Sequence, residues 1–444
     1  MYDTVIIGAG IAGLAAGQLL HLNKQENFTI LELSNKVGGR VQTISFCDQI
    51  FPTGPGWVHG RKDNPIFDIL NELGVPLQQC SIVNDNNVFV WDSTLNTNVT
   101  DNYLERRKVL KEIIENITTE MSNQYIEPHK SFGDILSDNS DFYNKMTDLD
   151  RTVLFTSLEI YLGASIKDVS GLSEIQDDEI HDDSESDVNF RILDPLGVPK
   201  MIDYLSFDIK DKVELNCKVN SIEWNNDFDP VKIRCDNGQE FVCKNVIITV
   251  QSDLLAKNCI TFHPELPIEK VSSWEHVPSV NYCRLFAKFP HKFWSDDEWL
   301  MPVIKDVDPF NELILWQNCA SQSLCSENEN ILICHYTSGY RTRTTRFDVD
   351  KESLSKLVTE SMKNMFPQSY CEPTDVLFVS HLNSDRFAGS FSIPAPGFHK
   401  DTAKELCNNV GPLYFAGESV MVELMGTMQA AYISGRNAAK STIK

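Results

Sequence analysis

Residues 3–20, DTVIIGAGIAGLAAGQLL, constrain the fold more than any other stretch of the chain. A short apolar run reads as a strand, three glycines follow at G-x-G-x-x-G spacing, and an apolar helix begins at once. Gly8 permits a tight turn, Gly10 lets a ligand approach the backbone, and Gly13 lets helix and strand pack closely. A second strand, FTILEL at 28–33, completes a βαβ unit, with Glu32 at its end, 19 residues past Gly13. A carboxylate there accepts hydrogen bonds from ribose hydroxyls and repels a 2′-phosphate. The loop reads as a dinucleotide site with the pyrophosphate over the helix N-terminus.

The next residues bear on which dinucleotide. VGGR supplies Gly38, Gly39 and Arg40 close to the pyrophosphate path, which suits a long ligand continuing across the domain. No second G-x-G-x-x-G occurs in the chain, and a flavoenzyme reduced by NADPH often carries one. The ligand inferred is FAD, with no separate nicotinamide site.

Bulk properties narrow the rest. At 444 residues, 42% hydrophobic and 23% charged, the chain is an ordinary globular protein of two or three domain-sized units. A net charge of −24 argues against nucleic acid or an anionic membrane as partner. That field can concentrate a cationic substrate; the plainer reading is a soluble acidic protein. The 12 cysteines form no C-x-x-C pair, so neither a zinc site nor a disulfide scaffold is expected, and no metal is assigned. No signal peptide, no 18-residue apolar run and no S-K-L ending is read, which makes the cytosol the expected location and the sequons at Asn27, Asn98 and Asn116 chance matches.

Along the chain, a helix-rich region is expected from about 103 to 165, then an acidic stretch at 174–187 that reads as a solvated loop. Period-2 runs flank the turn DNG at 236–238, a hairpin signal. Further strands are expected at 282–294 and 330–339 and a helix at 350–365. The tail GPLYFAGES…GTMQAAYISGRNAAKS reads as strand, glycine turn and helix.

Taken together, VIIGAGIAGLAA, Glu32, GGR, GPGWVHG at 54–60, NPIFDILNELGVPL, VIITV, ITFHPELP, LYFAGES and AAYISGRNAA resemble the flavin-dependent amine oxidases, and among them the polyamine oxidases. The resemblance spans most of the chain in order and spacing. It implies an α/β fold: a discontinuous Rossmann-type FAD-binding domain from 1–85, 195–265 and 400–444, and an α+β substrate domain from 86–194 and 266–399. It implies that Gly8, Gly10, Gly13, Glu32, Gly38, Gly39 and Arg40 hold the ADP half, with Val219 and Val250 near the adenine. Glu418 would meet a ribityl or pyrophosphate group, Thr427 and Met428 would lie against the flavin, and Gly56 and Trp57 near its ring. His59 stands where polyamine oxidases face their substrate tunnel. The implied reaction is hydride transfer from an amine carbon to flavin N5, with dioxygen reoxidising the flavin to give hydrogen peroxide. Monoamine oxidases attach FAD to a cysteine shortly before the last glycine turn; NSDRFAGSFSIPAPGFHK at 383–400 has none, so the flavin is expected to be non-covalent. The WVHG stretch differs from that of L-amino-acid oxidases. Neither the particular amine nor the oligomeric state is written in these motifs.

Three positions depart from the family pattern. Arg284 stands where the family has a lysine that holds a water at flavin N5, and arginine is longer, planar and never deprotonated. Lys288 is four residues along the strand, about 13 Å away, too far to substitute. Leu424 replaces an aromatic that walls the amine site, offering no π face. No tryptophan follows residue 316, and Phe387 or Phe391 could take the family tryptophan's place. This pattern leaves open an active oxidase with an unusual substrate, and a flavoprotein whose role is binding.

Overall fold

The computed structural model describes residues 1–80, 87–177, 188–225, 230–305, 310, 312–339, 347–382 and 386–443. The sequence-read βαβ unit forms as β1 (Tyr2–Ile7), α1 (Ile11–Leu22) and β2 (Phe28–Leu31), with β1 parallel to β2 and Val5 opposite Thr29. β1 is also parallel to the long strand Glu240–Ile248. That strand serves two layers. Its far end, Val246–Ile248, runs parallel to Leu413–Phe415, while its first half is antiparallel to Val231–Cys235 in the hairpin expected around DNG. The eight-stranded sheet thus joins a parallel half to a meander. Val5, Ile6, Val246 and Ile247 are fully buried, as strands covered on both faces must be.

Glycines set how closely the layers meet. A Cβ on Gly17 would lie 2.8 Å from Ile30 Cδ1, which brings α1 down onto β2. A Cβ on Gly435 would lie 2.1 Å from the Ala12 carbonyl oxygen, so the C-terminal helix Met428–Thr442 crosses α1 almost backbone to backbone.

A second sheet has seven strands in the order Asp375–Val379, Tyr282–Lys288, Ile331–Thr337, Leu315–Asn318, Trp299–Pro302, Val88–Asp92 and Thr97–Asn98. The helix Lys351–Met365 covers one face through Leu354, Val358 and Met362. On the other face, Trp299, Met301 and Leu315 pack on the helices Thr100–Met121, Phe132–Asn139 and Asp148–Leu154. That second face also carries Tyr282, Arg284 and His335, since Arg284 stands opposite His335 and His335 opposite Leu315. A small sheet of Trp57–His59, Asn189–Ile192 and Leu77–Gln79 stands nearby.

The acidic stretch needs one correction. Its first residues, Glu174 to Asp177, belong to the helix Gly171–Asp177 rather than to a loop; residues 178–187 lie outside the described residues. Ile175 is fully buried in the helical cluster, and that single apolar residue holds the start of the stretch on the core.

Candidate active site

The glycine loop makes a narrow slot. Gly8 has φ +102°, and Gly38 and Gly39 have φ +111° and +57°, all in the region that favours glycine. A Cβ on Gly13 would sit 1.9 Å from the Gly8 carbonyl oxygen, so only glycine lets α1 start so close to β1. A Cβ on Gly39 would sit 3.3 Å from Gly10 Cα: the GAG and GGR stretches face one another with no side chain between them. No side chain caps α1, which leaves its first-turn N–H groups for an anionic ligand. Glu32 is buried beside the loop; its carboxylate accepts from Ala9 N–H at 2.8 Å and from the Ser34 backbone and hydroxyl at 2.9 and 2.7 Å. A slot lined by backbone, with a helix N-terminus at one end and a carboxylate at the other, fits the ADP half of FAD. Behind it, Cys217 N–H bonds to the Glu32 carbonyl, and Val219 and Val250 pack in the same apolar cluster.

Arg40 and Glu418, 378 residues apart in sequence, form an ion pair at 2.9 Å. Glu418 also accepts from Ser392 N–H and hydroxyl and from Gly426 N–H, and Arg40 donates to the Ser390 carbonyl. One buried carboxylate therefore joins the GGR motif, the strand Phe391–Ser392 and the C-terminal turn. Thr427 follows as N-cap of the last helix, its hydroxyl accepting from Ala430 N–H and donating to the Leu424 carbonyl. Met428 packs on the α1 cluster. Leu424 ends a single helical turn, half-buried, and is tied to this corner through its backbone.

Beside GGR, where a Cβ on Gly54 would lie 2.1 Å from the Arg40 carbonyl oxygen, a Cβ on Gly56 would lie 3.4 Å from Arg284 Nη2, and Arg284 donates to the Pro52 carbonyl. The guanidinium of Arg191 lies 5.2 Å over the Trp57 ring. His59 Nδ1 bonds to Asn189 Oδ1 at 2.7 Å, and its ring meets Tyr161 edge-on at 5.9 Å. Arg284, Tyr282 and His59 are each half-buried. Burial lowers the His59 pKa below its ordinary value. Burial also lowers that of Arg284, which makes no ion pair among the described residues.

Several side chains here had no sequence motif to announce them. Tyr282 hydroxyl bonds to His335 Nδ1 at 2.7 Å, and His335 Nε2 to Gln317 Oε1 at 2.8 Å. Burial, with Arg284 and Arg191 nearby, holds His335 well below the usual histidine range. His381 donates to the Thr53 carbonyl at 3.1 Å; burial, assisted by Arg40 and Arg284, pushes it down to about 4. Arg191 is buried against Glu298 at 3.2 Å. Lys288, as the strand spacing requires, is occupied elsewhere, paired with Glu329 at 2.7 Å.

A family model described as flavin containing amine oxidoreductase matches residues 11–443. The chain is 24% identical to polyamine oxidase 1 of Zea mays, covering 99% of this chain and 90% of that protein. It is 25% identical to a lysine-specific histone demethylase 1B homolog of Caenorhabditis elegans, over 97% of this chain but 55% of that protein. Among solved structures, a putrescine oxidase double mutant redesigned in cofactor binding superposes with a TM-score of 0.76 at 17% identity, covering 99% of this chain and 98% of that one.

Proposed function

Since the chain belongs to the flavin-containing amine oxidoreductases and is an FAD-dependent enzyme of that family, we propose that it oxidises a C–H bond next to an amine nitrogen, with polyamines as the first substrate class. FAD, held without a covalent link, would supply the hydride acceptor and a route for the electrons to dioxygen, with hydrogen peroxide as product. The remaining work falls to this chain. The Gly8–Gly13 loop and α1 N-terminus bind the pyrophosphate, Glu32 the ribose side, and Arg40 with Glu418 closes the cradle. Trp57 and Gly56 flank the reacting region, and Arg284 is the cation at its edge. The amine binds neutral, because Arg284, a buried cation with no carboxylate partner among the described residues, repels a second positive charge. His59 orients the amine or a water through the ring edge left free by Asn189. Water then hydrolyses the imine product.

The observation that carries this reading is the convergence of GGR, GES and the strip that leads into Gly56–His59: Arg40 pairs with Glu418, and a Cβ on Gly54 would fall 2.1 Å from the Arg40 carbonyl oxygen. We read the chain as the two units given above, cytosolic, with residues 189–192 bridging their boundary by pairing with Trp57–His59. The test is anaerobic mixing of the yellow protein with spermine, spermidine, their N-acetyl forms and putrescine. Bleaching of the flavin band by one of them supports the reading. No bleaching by any, with dithionite still reducing the flavin, overturns the polyamine assignment. Arg284 favours a second reading, an amine that is not a polyamine, since it is a cation with no ion-pair partner among the described residues, where a polycation would bind. A flavin that no amine or amino acid bleaches would point instead to a binding role.

A further inference from the structure

The hydrogen bonds behind Tyr282 can run in only one direction. Gln322 is buried, and one end of its amide faces the backbone carbonyl of Glu298 at 3.3 Å. A carbonyl only accepts, so that end is the NH2, and the Gln322 oxygen faces Gln317. Gln317 must then donate to Gln322 and present its own oxygen to His335 Nε2 at 2.8 Å. His335, neutral beside Arg284 and Arg191, therefore carries its proton on Nε2 and accepts at Nδ1. Tyr282, 2.7 Å from Nδ1, must spend its single proton on His335. Its oxygen is left with lone pairs only, and it makes no other hydrogen bond among the described residues.

Tyr282 stands where a substrate would meet it. Its N–H bonds to Ser390, whose carbonyl binds Arg40. Its ring meets Phe391, which packs against Gly163 and Gly426. Two residues on, Arg284 reaches Gly56. Tyr282 is half-buried while His335, Gln317 and Gln322 behind it are buried, so among these four residues a ligand meets the chain at its Tyr282 end. We infer that Tyr282 accepts a hydrogen bond from the N–H of the bound amine, and that the site selects neutral primary or secondary amines over fully substituted ones. Tyr282 is then a substrate contact; His335, Gln317 and Gln322 position its proton. The inference rests on the amine-oxidase reading above.

Two measurements on the FAD-loaded protein test it. Long-range proton–nitrogen NMR with labelled histidine, assigned by His335→Asn, should show the Nε2–H tautomer, unprotonated at pH 6. A Nδ1–H tautomer or an imidazolium overturns the chain whatever the substrate. In anaerobic stopped flow, the best-reducing polyamine should bind at least tenfold more tightly than its permethylated counterpart. Tyr282→Phe should weaken binding of the parent amine about fivefold, one hydrogen bond's worth, and leave binding of the permethylated amine unchanged. Equal binding of both amines by the unaltered protein, or an equal loss for both in Tyr282→Phe, overturns the inference while leaving the oxidase reading intact. Failure of every amine to reduce or perturb the flavin overturns the oxidase reading and this assignment together.

Discussion

The glycine cradle and the sheet face across from it solve the same problem, holding groups still in a confined space, by opposite means. The cradle works with backbone. Gly8, Gly10, Gly13 and Gly39 let main chain approach main chain, and almost no side chain enters. The opposite wall works with side chains. Tyr282, His335, Gln317 and Gln322 come from three strands and a turn, and each is fixed by the hydrogen bond its neighbour can give. A backbone slot tolerates almost no substitution but needs no partner to define it. A side-chain network can be rebuilt with other residues provided its polarity is kept. The cradle therefore constrains what cofactor is held, and the network is where substrate choice can drift.

Four changes would break or sharpen that contrast. Gly13→Val should be the most severe: its Cβ falls on the Gly8 carbonyl, which cannot move aside. Loss of at least about 3 kcal/mol of stability and of bound FAD is expected, read by urea titration and by the ratio of flavin to protein absorbance. Glu418→Ala should follow, at about 3 kcal/mol, because it takes the carboxylate from Arg40 and leaves the Ser392 N–H without its acceptor. The pair Arg40→Met with Glu418→Leu should recover part of that loss; no recovery would mean the carboxylate matters for its backbone contacts alone.

Acid should act on the opposite wall. Below about pH 6.5 the unfolded chain takes up a proton at His381 that the folded protein refuses until about 4, so stability is full above 6.5 and drains away as pH falls towards 4. His335 and His59, lowered by burial as well, add in the same direction. His381→Gln should flatten the slope of stability against pH in that window by up to one proton; an unchanged slope would show that His381 ionises in the folded protein. The mildest effect is expected of Arg284→Lys, a change of up to about tenfold in flavin reduction or reoxidation. No change in either half-reaction would show that Arg284 does not stand in for the family's lysine.

Much of the cradle was legible in the sequence because its demands fall on residue identity. Only glycine fits at Gly13, so the motif survives as letters, and β1, α1 and β2 form where those letters put them. The DNG hairpin and the last helix were equally plain, from turn chemistry and helical periodicity. Tyr282, His335 and Arg191 were not. Tyr282 and His335 meet through a register between strands 53 residues apart, and nothing local in YCRLFAK or ILICHYT marks it. Arg191 sits in the short strand Asn189–Ile192, which follows an acidic stretch and shows no clear alternation. The start of the acidic stretch misled for a related reason: its charge count outweighed one buried isoleucine.

The order of strands in the first sheet also sets a clock on synthesis. Its centre needs residues 2–31, its meander residues 219–248, its edges residues 213–214 and 261–263, and its closing strand residues 413–415, with the helix 428–442 laid over α1. A ribosome adding about ten residues per second takes over half a minute to make the last of these after the first has emerged. Through that interval the glycine loop waits beside an incomplete sheet, and Arg40 waits for Glu418. Cofactor capture in the cell should thus be among the last events in making this protein, and chains cut short by even the final helix should be released empty and handed to the degradation machinery.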